Sequence, residues 1–188
     1  MAVRHGQTNW NAEQRFQGHL DIPLNGVGYR QAETVKSRLA GIRFDAAYSS
    51  PLQRALATAE IIAADIPVSV DARLIEIHHG SWQGQTKDDI AAHWPVEWKR
   101  WNTEPHRFTP PGGEAADSVR TRVEEFLEVM HGTTILCVSH GVVIQTLLSL
   151  LIGGRYTDHS AYEPPNGSIH TLWFRNNNLS EYRTDRIV

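Results

Sequence analysis

The run Ile135-Leu136-Cys137-Val138 constrains the fold most. It is apolar at every position, follows a glycine stop at Gly132, and leads through Ser139-His140 into an apolar helix pattern from Gly141 to Ile152. A strand with no polar alternation is one buried on both faces, as in parallel sheets sandwiched between helices. The shorter opening run Met1-Ala2-Val3 has the same form and ends in Arg4-His5-Gly6.

Strand and helix patterns alternate between these two runs. Asn25 caps a stretch in which Val27, Ala32, Val35 and Leu39 recur at helical spacing until Gly41. A short strand is expected over 45–49. Pro51 then fits the first turn of a helix carrying Leu52, Ala55, Leu56, Ala59, Ile62 and Ala63, which places Arg54 in the opening turn. Val68-Ser69-Val70 and Leu74-Ile75-Glu76-Ile77 read as short strands or extended segments around a bend at 71–73.

From Trp82 to Pro111 the composition shifts. Four of the six tryptophans fall there, and Pro95, Pro105, Pro110 and Pro111 break any long element, so the segment reads as a Trp-rich cap excursion over about 82–113. Helical order resumes at Glu114 with Val119, Val123, Phe126, Leu127 and Met130 on one face. A hairpin around Asn176-Asn177-Asn178 closes the chain. The expected fold is α/β: a three-layer α/β/α sandwich with a mainly parallel central sheet, an antiparallel edge and one domain over residues 1–188.

Composition narrows the partners. The 188 residues carry a formal net charge of −3, which argues against a broad basic face for nucleic acid or anionic lipid, so any phosphate must be held by a few local cations. Cys137, the single cysteine, lies inside the apolar run and fits a core role. The longest apolar stretch, Val142 to Ile152, is interrupted by Gln145, Thr146 and Ser149, and no basic-then-apolar leader precedes it, so a cytoplasmic chain without membrane contact is expected. Oligomeric state is not legible, and a dimer stays open.

The chemistry gathers at strand ends, where open α/β sheets bind ligands. Arg4 and His5 follow the first strand, Arg54 follows the second, and His140 follows the long one. If these strands are neighbours, all four side chains converge on one pocket. Two planar guanidiniums can each grip two oxygens of a phosphoryl group. One neutral imidazole would attack in line, and the second would serve best as imidazolium. Attack by nitrogen leaves a poor leaving group, and Glu76, flanked by Ile75 and Ile77, is the candidate acid because apolar flanks raise a carboxyl pKa.

These residues resemble the histidine phosphatase superfamily, in the branch of cofactor-dependent phosphoglycerate mutases and small broad-specificity phosphatases. Arg4-His5-Gly6-Gln7-Thr8 with Trp10-Asn11 is similar to the family signature, with Gln7 where many relatives have Glu. Ser49-Ser50-Pro51-Leu52-Gln53-Arg54-Ala55 resembles the second arginine motif, Ser139-His140-Gly141 the second histidine motif, and Glu76 to Gly84 the stretch carrying the proton donor. The resemblance implies that His5 is phosphorylated, that Glu76 donates the proton, and that Asn11, Gln17 and Gly18 help hold phosphate or roof the pocket. No cofactor and no metal are implied.

Among activities, the resemblance is nearest to broad-specificity bacterial phosphatases, with a small-molecule phosphate ester as partner. A mutase must exclude water from its phosphohistidine and bind a second acidic group, whereas the cap shows tryptophans more conspicuously than clustered cations. Trp94, Trp98 and Trp101 fall on one helical face, which fits a packing stripe or an apolar lid. Two other readings are a non-catalytic phosphate-binding module, which would normally have lost the nucleophile or an arginine, and a metal site using His78, His79 and His106, which lack the carboxylate or cysteine company a catalytic metal needs.

Overall fold

The computed structural model describes residues 1–153, 163–176 and 178–187. Its centre is a six-stranded sheet in the order β3-β2-β4-β1-β5-β6. The strands are β1 (Ala2–Arg4), β2 (Ala46–Ser49), β3 (Val68–Val70), β4 (Ile135–Ser139), β5 (Ile169–Arg175) and β6 (Asn178–Asp185). The first four are parallel, while β5 runs antiparallel to β1 and pairs with β6 in the closing hairpin. The long apolar strand therefore lies at the middle, between β1 and β2, so the three cation-bearing strand ends are adjacent.

Alternation along β4 explains the layers, because successive side chains point to opposite faces. Cys137 joins Val119, Val123 and Phe126 of α6 (Ala116–Val129) and Val143, Leu147 and Leu148 of α7 (Gly141–Ile152) on one face. Leu136 and Val138 meet Val35 of α2 (Gly26–Arg38) and Ala55, Ala59 and Ile62 of α3 (Gln53–Ala63) on the other. The expected three layers and antiparallel edge are present.

Several local expectations change. A short helix, α1 (Asn9–Ala12), follows the Arg-His-Gly turn; Thr8 and Asn11 close its first turn reciprocally as a capping box. Of the two readings for Leu74–Ile77 the strand fails and extended backbone resumes at Ile75: the Asp71 carboxylate accepts the Arg73 backbone N–H at 2.9 Å and starts a 3₁₀ turn over Ala72–Leu74, which diverts the chain from the sheet. Pro51 precedes the helix rather than opening it, with Leu52 as the cap and Arg54 still in the first turn.

The cap holds more helix than its prolines imply. It folds as α4 (Lys87–His93) and α5 (Pro95–Thr103), with Pro95 at the start of α5, where its missing N–H costs nothing. Trp82, Ile90 and Phe108 form a buried cluster there, with Phe16, Trp94, Trp98 and Trp101 packed on it. The tryptophan stripe is thus a packing face. Asn176 supplies the left-handed residue of the hairpin turn at φ 51°, while Asn177 lies outside the described residues. No helix among the described residues is long and apolar enough to cross a membrane.

Candidate active site

A cavity of about 680 Å³ opens over the carboxyl ends of β1 and β4, and Arg4, His5, Asn11, Gln17, Gly18, Arg54 and Glu76 all line it. Seven of the eight site residues read from the sequence therefore share one space. The eighth, His140, is fully buried against His5, with ring centroids 5.1 Å apart, and its Nδ1 meets no hydrogen-bond partner among the described residues. Ser50 Oγ sits 2.7 Å from His140 Nε2 and fixes the orientation of the ring.

His5 is fixed by its own turn. Its Nδ1 lies 2.6 Å from the Gly6 carbonyl, the geometry of an Nδ1–H donor to that oxygen, which leaves Nε2 as the nitrogen with a free lone pair. Burial first, and then the Arg54 and Arg4 guanidiniums, hold the imidazole well below its ordinary pKa. A neutral, oriented imidazole is the nucleophilic form. His140 is held neutral by the same causes, so in the unliganded site it is not the imidazolium expected from the sequence. A dianion beside it would favour the charged form, because an opposite charge nearby raises a histidine pKa.

The two guanidiniums are anchored by different means. Arg54 Nη1 and Nη2 donate to the backbone carbonyls of Leu20 and Gly18 at 2.9 and 2.8 Å. Burial pushes its pKa down to about 10, Glu76 and Asp21 pulling the other way, so it stays charged at neutral pH. Arg4 Nη1 donates to the Glu163 carboxylate at 3.1 Å and to the Pro164 carbonyl. The Nε of each arginine is buried and meets no acceptor among the described residues. Buried donors of this kind are costly unless an acceptor is supplied, and a tetrahedral oxyanion has oxygens for both.

Glu76 is buried at 9% exposure, and burial raises its carboxyl pKa against the pull of the Ile77 backbone N–H, Arg54, Arg4 and Arg122. Its Oε1 accepts the Ile77 N–H at 3.0 Å, so one oxygen is fixed and the other is left for proton transfer. Asn11 Oδ1 and Gln17 Oε1 both accept from the Thr8 hydroxyl, at 3.1 and 3.0 Å, which binds the signature turn to the pocket wall. Gly18 carries φ 54° and a Cβ there would overlap Gln83, so the backbone comes close at this point for a steric reason.

Sequence reasoning missed a second layer. Asn166 Nδ2 donates to the His5 carbonyl at 3.1 Å and to Asn11 Oδ1 at 3.3 Å, and the Gly167 N–H donates to the Arg4 carbonyl. Ser50 lay inside a quoted motif without a role. Glu163 lies in a stretch with no periodic pattern, so nothing in the residues marked it. Among the described residues no group of three or more His, Cys, Asp or Glu side chains is placed to hold a metal ion, and the side chain of His106 lies outside them.

Comparisons with known proteins give the family. Residues 1–183 match the family model described as histidine phosphatase superfamily (branch 1). The chain is 37% identical over 157 residues to phosphoserine phosphatase 1 of Hydrogenobacter thermophilus, covering 80% of this chain and 74% of that protein. It is 34% identical over 168 residues to the 2,3-bisphosphoglycerate-dependent phosphoglycerate mutase of Brucella anthropi, covering 80% of each. Among solved structures, Bacillus stearothermophilus YhfR superimposes with a TM-score of 0.86 at 34% identity, over 95% of this chain and 92% of that one. With a shared fold, a matched family model and relatives above 30% identity over most of their length, the chain belongs to the histidine phosphatase superfamily, branch 1.

Proposed function

We propose that this protein is a metal-independent phosphatase that hydrolyses small-molecule phosphate monoesters through a phosphohistidine on His5. The observation that carries the reading is the orientation of His5. Its Nδ1 is committed to the Gly6 carbonyl, and its ring lines one cavity with Arg4, Arg54 and Glu76.

The ester's phosphoryl oxygens take the donors of Arg4 and Arg54, and the dianion turns the neighbouring His140 toward its charged form. His5 Nε2 forms the N–P bond as the P–O ester bond breaks. The Glu76 carboxyl gives its proton to the departing alkoxide, which leaves as an alcohol. In the second half, Glu76 as carboxylate takes a proton from water, the oxygen attacks phosphorus, the N–P bond breaks and phosphate departs. Asn11, Gln17 and Gly18 hold the pocket around the phosphoryl group. No step calls for a Lewis acid, nucleic acid or membrane partner.

A second reading, mutase-type transfer, is favoured by the resemblance to the Brucella anthropi mutase. One experiment separates the two. The protein, incubated with para-nitrophenyl phosphate in EDTA and separately with 3-phosphoglycerate plus its bisphosphate, is expected to release free phosphate in both. Loss of activity in EDTA would overturn metal independence, and accumulation of the 2-phospho isomer without phosphate release would favour the mutase.

A further inference from the structure

His19 stands on a turn that holds both the arginine clamp and the acid. The Leu20 N–H closes that turn onto the Gln17 carbonyl at 3.0 Å. The carbonyls on either side of His19, those of Gly18 and Leu20, accept the two Arg54 donors at 2.8 and 2.9 Å. Its own groups face elsewhere: the His19 N–H donates to Gln83 Oε1 at 2.9 Å, and its Nε2 lies 2.8 Å from the Glu76 carbonyl oxygen. A carbonyl only accepts, so Nε2 carries the hydrogen. The half-buried ring packs edge to face on His78, with centroids 4.8 Å apart.

What the contact with Glu76 fixes is a single peptide unit. The oxygen end of the Glu76-Ile77 peptide is held by His19, and its N–H end is the donor that Glu76 Oε1 accepts at 3.0 Å. A peptide is planar, so holding its oxygen sets the direction of its N–H, and with it the carboxyl that leans on that N–H. Residues 75–79 lie in no helix or strand, and among the described residues no backbone N–H donates to the Glu76 carbonyl. The imidazole therefore does here what a sheet ladder does elsewhere in the fold.

We propose that His19 is a positioning residue for the proton donor: its Nε2–H holds the Glu76-Ile77 peptide, and so the Glu76 carboxyl, in place against the Arg54 clamp that the same turn carries. This rests on the phosphatase reading, in which Glu76 protonates the leaving group. Loss of the imidazole leaves the clamp intact, because Gly18 and Leu20 reach Arg54 through their backbones, and loosens the acid. Proton transfer needs heavy atoms within about 2.6–3.2 Å, so a carboxyl free to swing costs turnover where the leaving group depends on that proton.

The test compares n-propyl phosphate, which has a poor leaving group, with para-nitrophenyl phosphate, whose leaving group needs little protonation. Inhibition by inorganic phosphate gauges the clamp. His19→Phe keeps a ring against His78 and removes the donor. It should lower kcat/KM about 10-fold on the propyl ester and much less on the nitrophenyl ester, with phosphate inhibition held within about 2-fold. His19→Gln puts an amide N–H at the place of Nε2 and should recover most of the loss, whereas His19→Asn puts its amide at the place of Nδ1 and should not. That pair decides the matter on its own where the phenylalanine variant folds poorly. Equal losses on the two esters, phosphate inhibition weakened in step with them, or no difference between the glutamine and asparagine variants would overturn the proposal and leave the phosphatase reading standing. Absence of nitrophenyl turnover in the wild-type protein would count against the phosphatase reading itself and take this inference with it.

Discussion

Lowering the pH from 7.5 to 5.5 should destabilise the unliganded protein far more than an ordinary domain of its size. His5, His79, His140 and His170 are each more than nine-tenths buried. Burial pushes His79 to about 3 and His170 to about 4, and burial with the neighbouring Arg54 holds His5 and His140 well below the usual value. In the unfolded chain each titrates near 6.5, so on the acid side the unfolded state binds more protons. The stability is therefore full above about pH 6.5 and is lost as pH falls through that value. For a group that stays neutral when folded, the passage from pH 7.5 to 5.5 costs about 1.4 kcal/mol, and four such groups about 5 kcal/mol. Glu76 works the other way: burial raises its carboxyl pKa, which favours folding as pH drops. A net loss of about 3–5 kcal/mol is expected, against a typical total of roughly 5–15 kcal/mol. Urea unfolding followed by tryptophan fluorescence at the two pH values measures it, with an unchanged m-value as the control. A loss under about 1 kcal/mol would show that these imidazoles take up protons in the folded state, and the argument for a neutral His5 would fail with it.

Glu76→Gln should slow turnover of alkyl phosphates far more than of para-nitrophenyl phosphate, whose leaving group needs little protonation; equal losses in kcat/KM would remove Glu76 from the acid role. Gly28→Ala places a Cβ 2.1 Å from the Gln7 carbonyl oxygen, which must push α2 off the His5 turn. Thermal unfolding should report a cost of about 1–3 kcal/mol together with a fall in kcat, and a neutral effect on both would refute the close packing.

Of the candidate site residues, Arg4, His5 and His140 were legible because they stand at glycine-marked strand ends, and apolar β4 announced the buried parallel sheet around them. What the chain alone could not state was distance. Nothing in Ser139-His140-Gly141 says that the His140 ring packs against His5 with Nε2 on Ser50, because that partner is 90 residues away. The strand order that places β4 between β1 and β2 is likewise a product of tertiary packing. Pro95 read as a breaker when it is a helix start, since proline signals both and only the following turn decides. His79 was weighed as a metal ligand, and its orphaned nitrogen became visible only once the aromatic cap had closed around it.

The central claim is that His5 carries the phosphoryl group. Rapid mixing with a large excess of substrate, an alkaline quench that preserves phosphohistidine, and peptide mapping by mass spectrometry test it directly. One phosphate on the peptide containing His5, absent from His5→Ala along with turnover, is the predicted result. Phosphate on His140, or turnover persisting in His5→Ala, would contradict it.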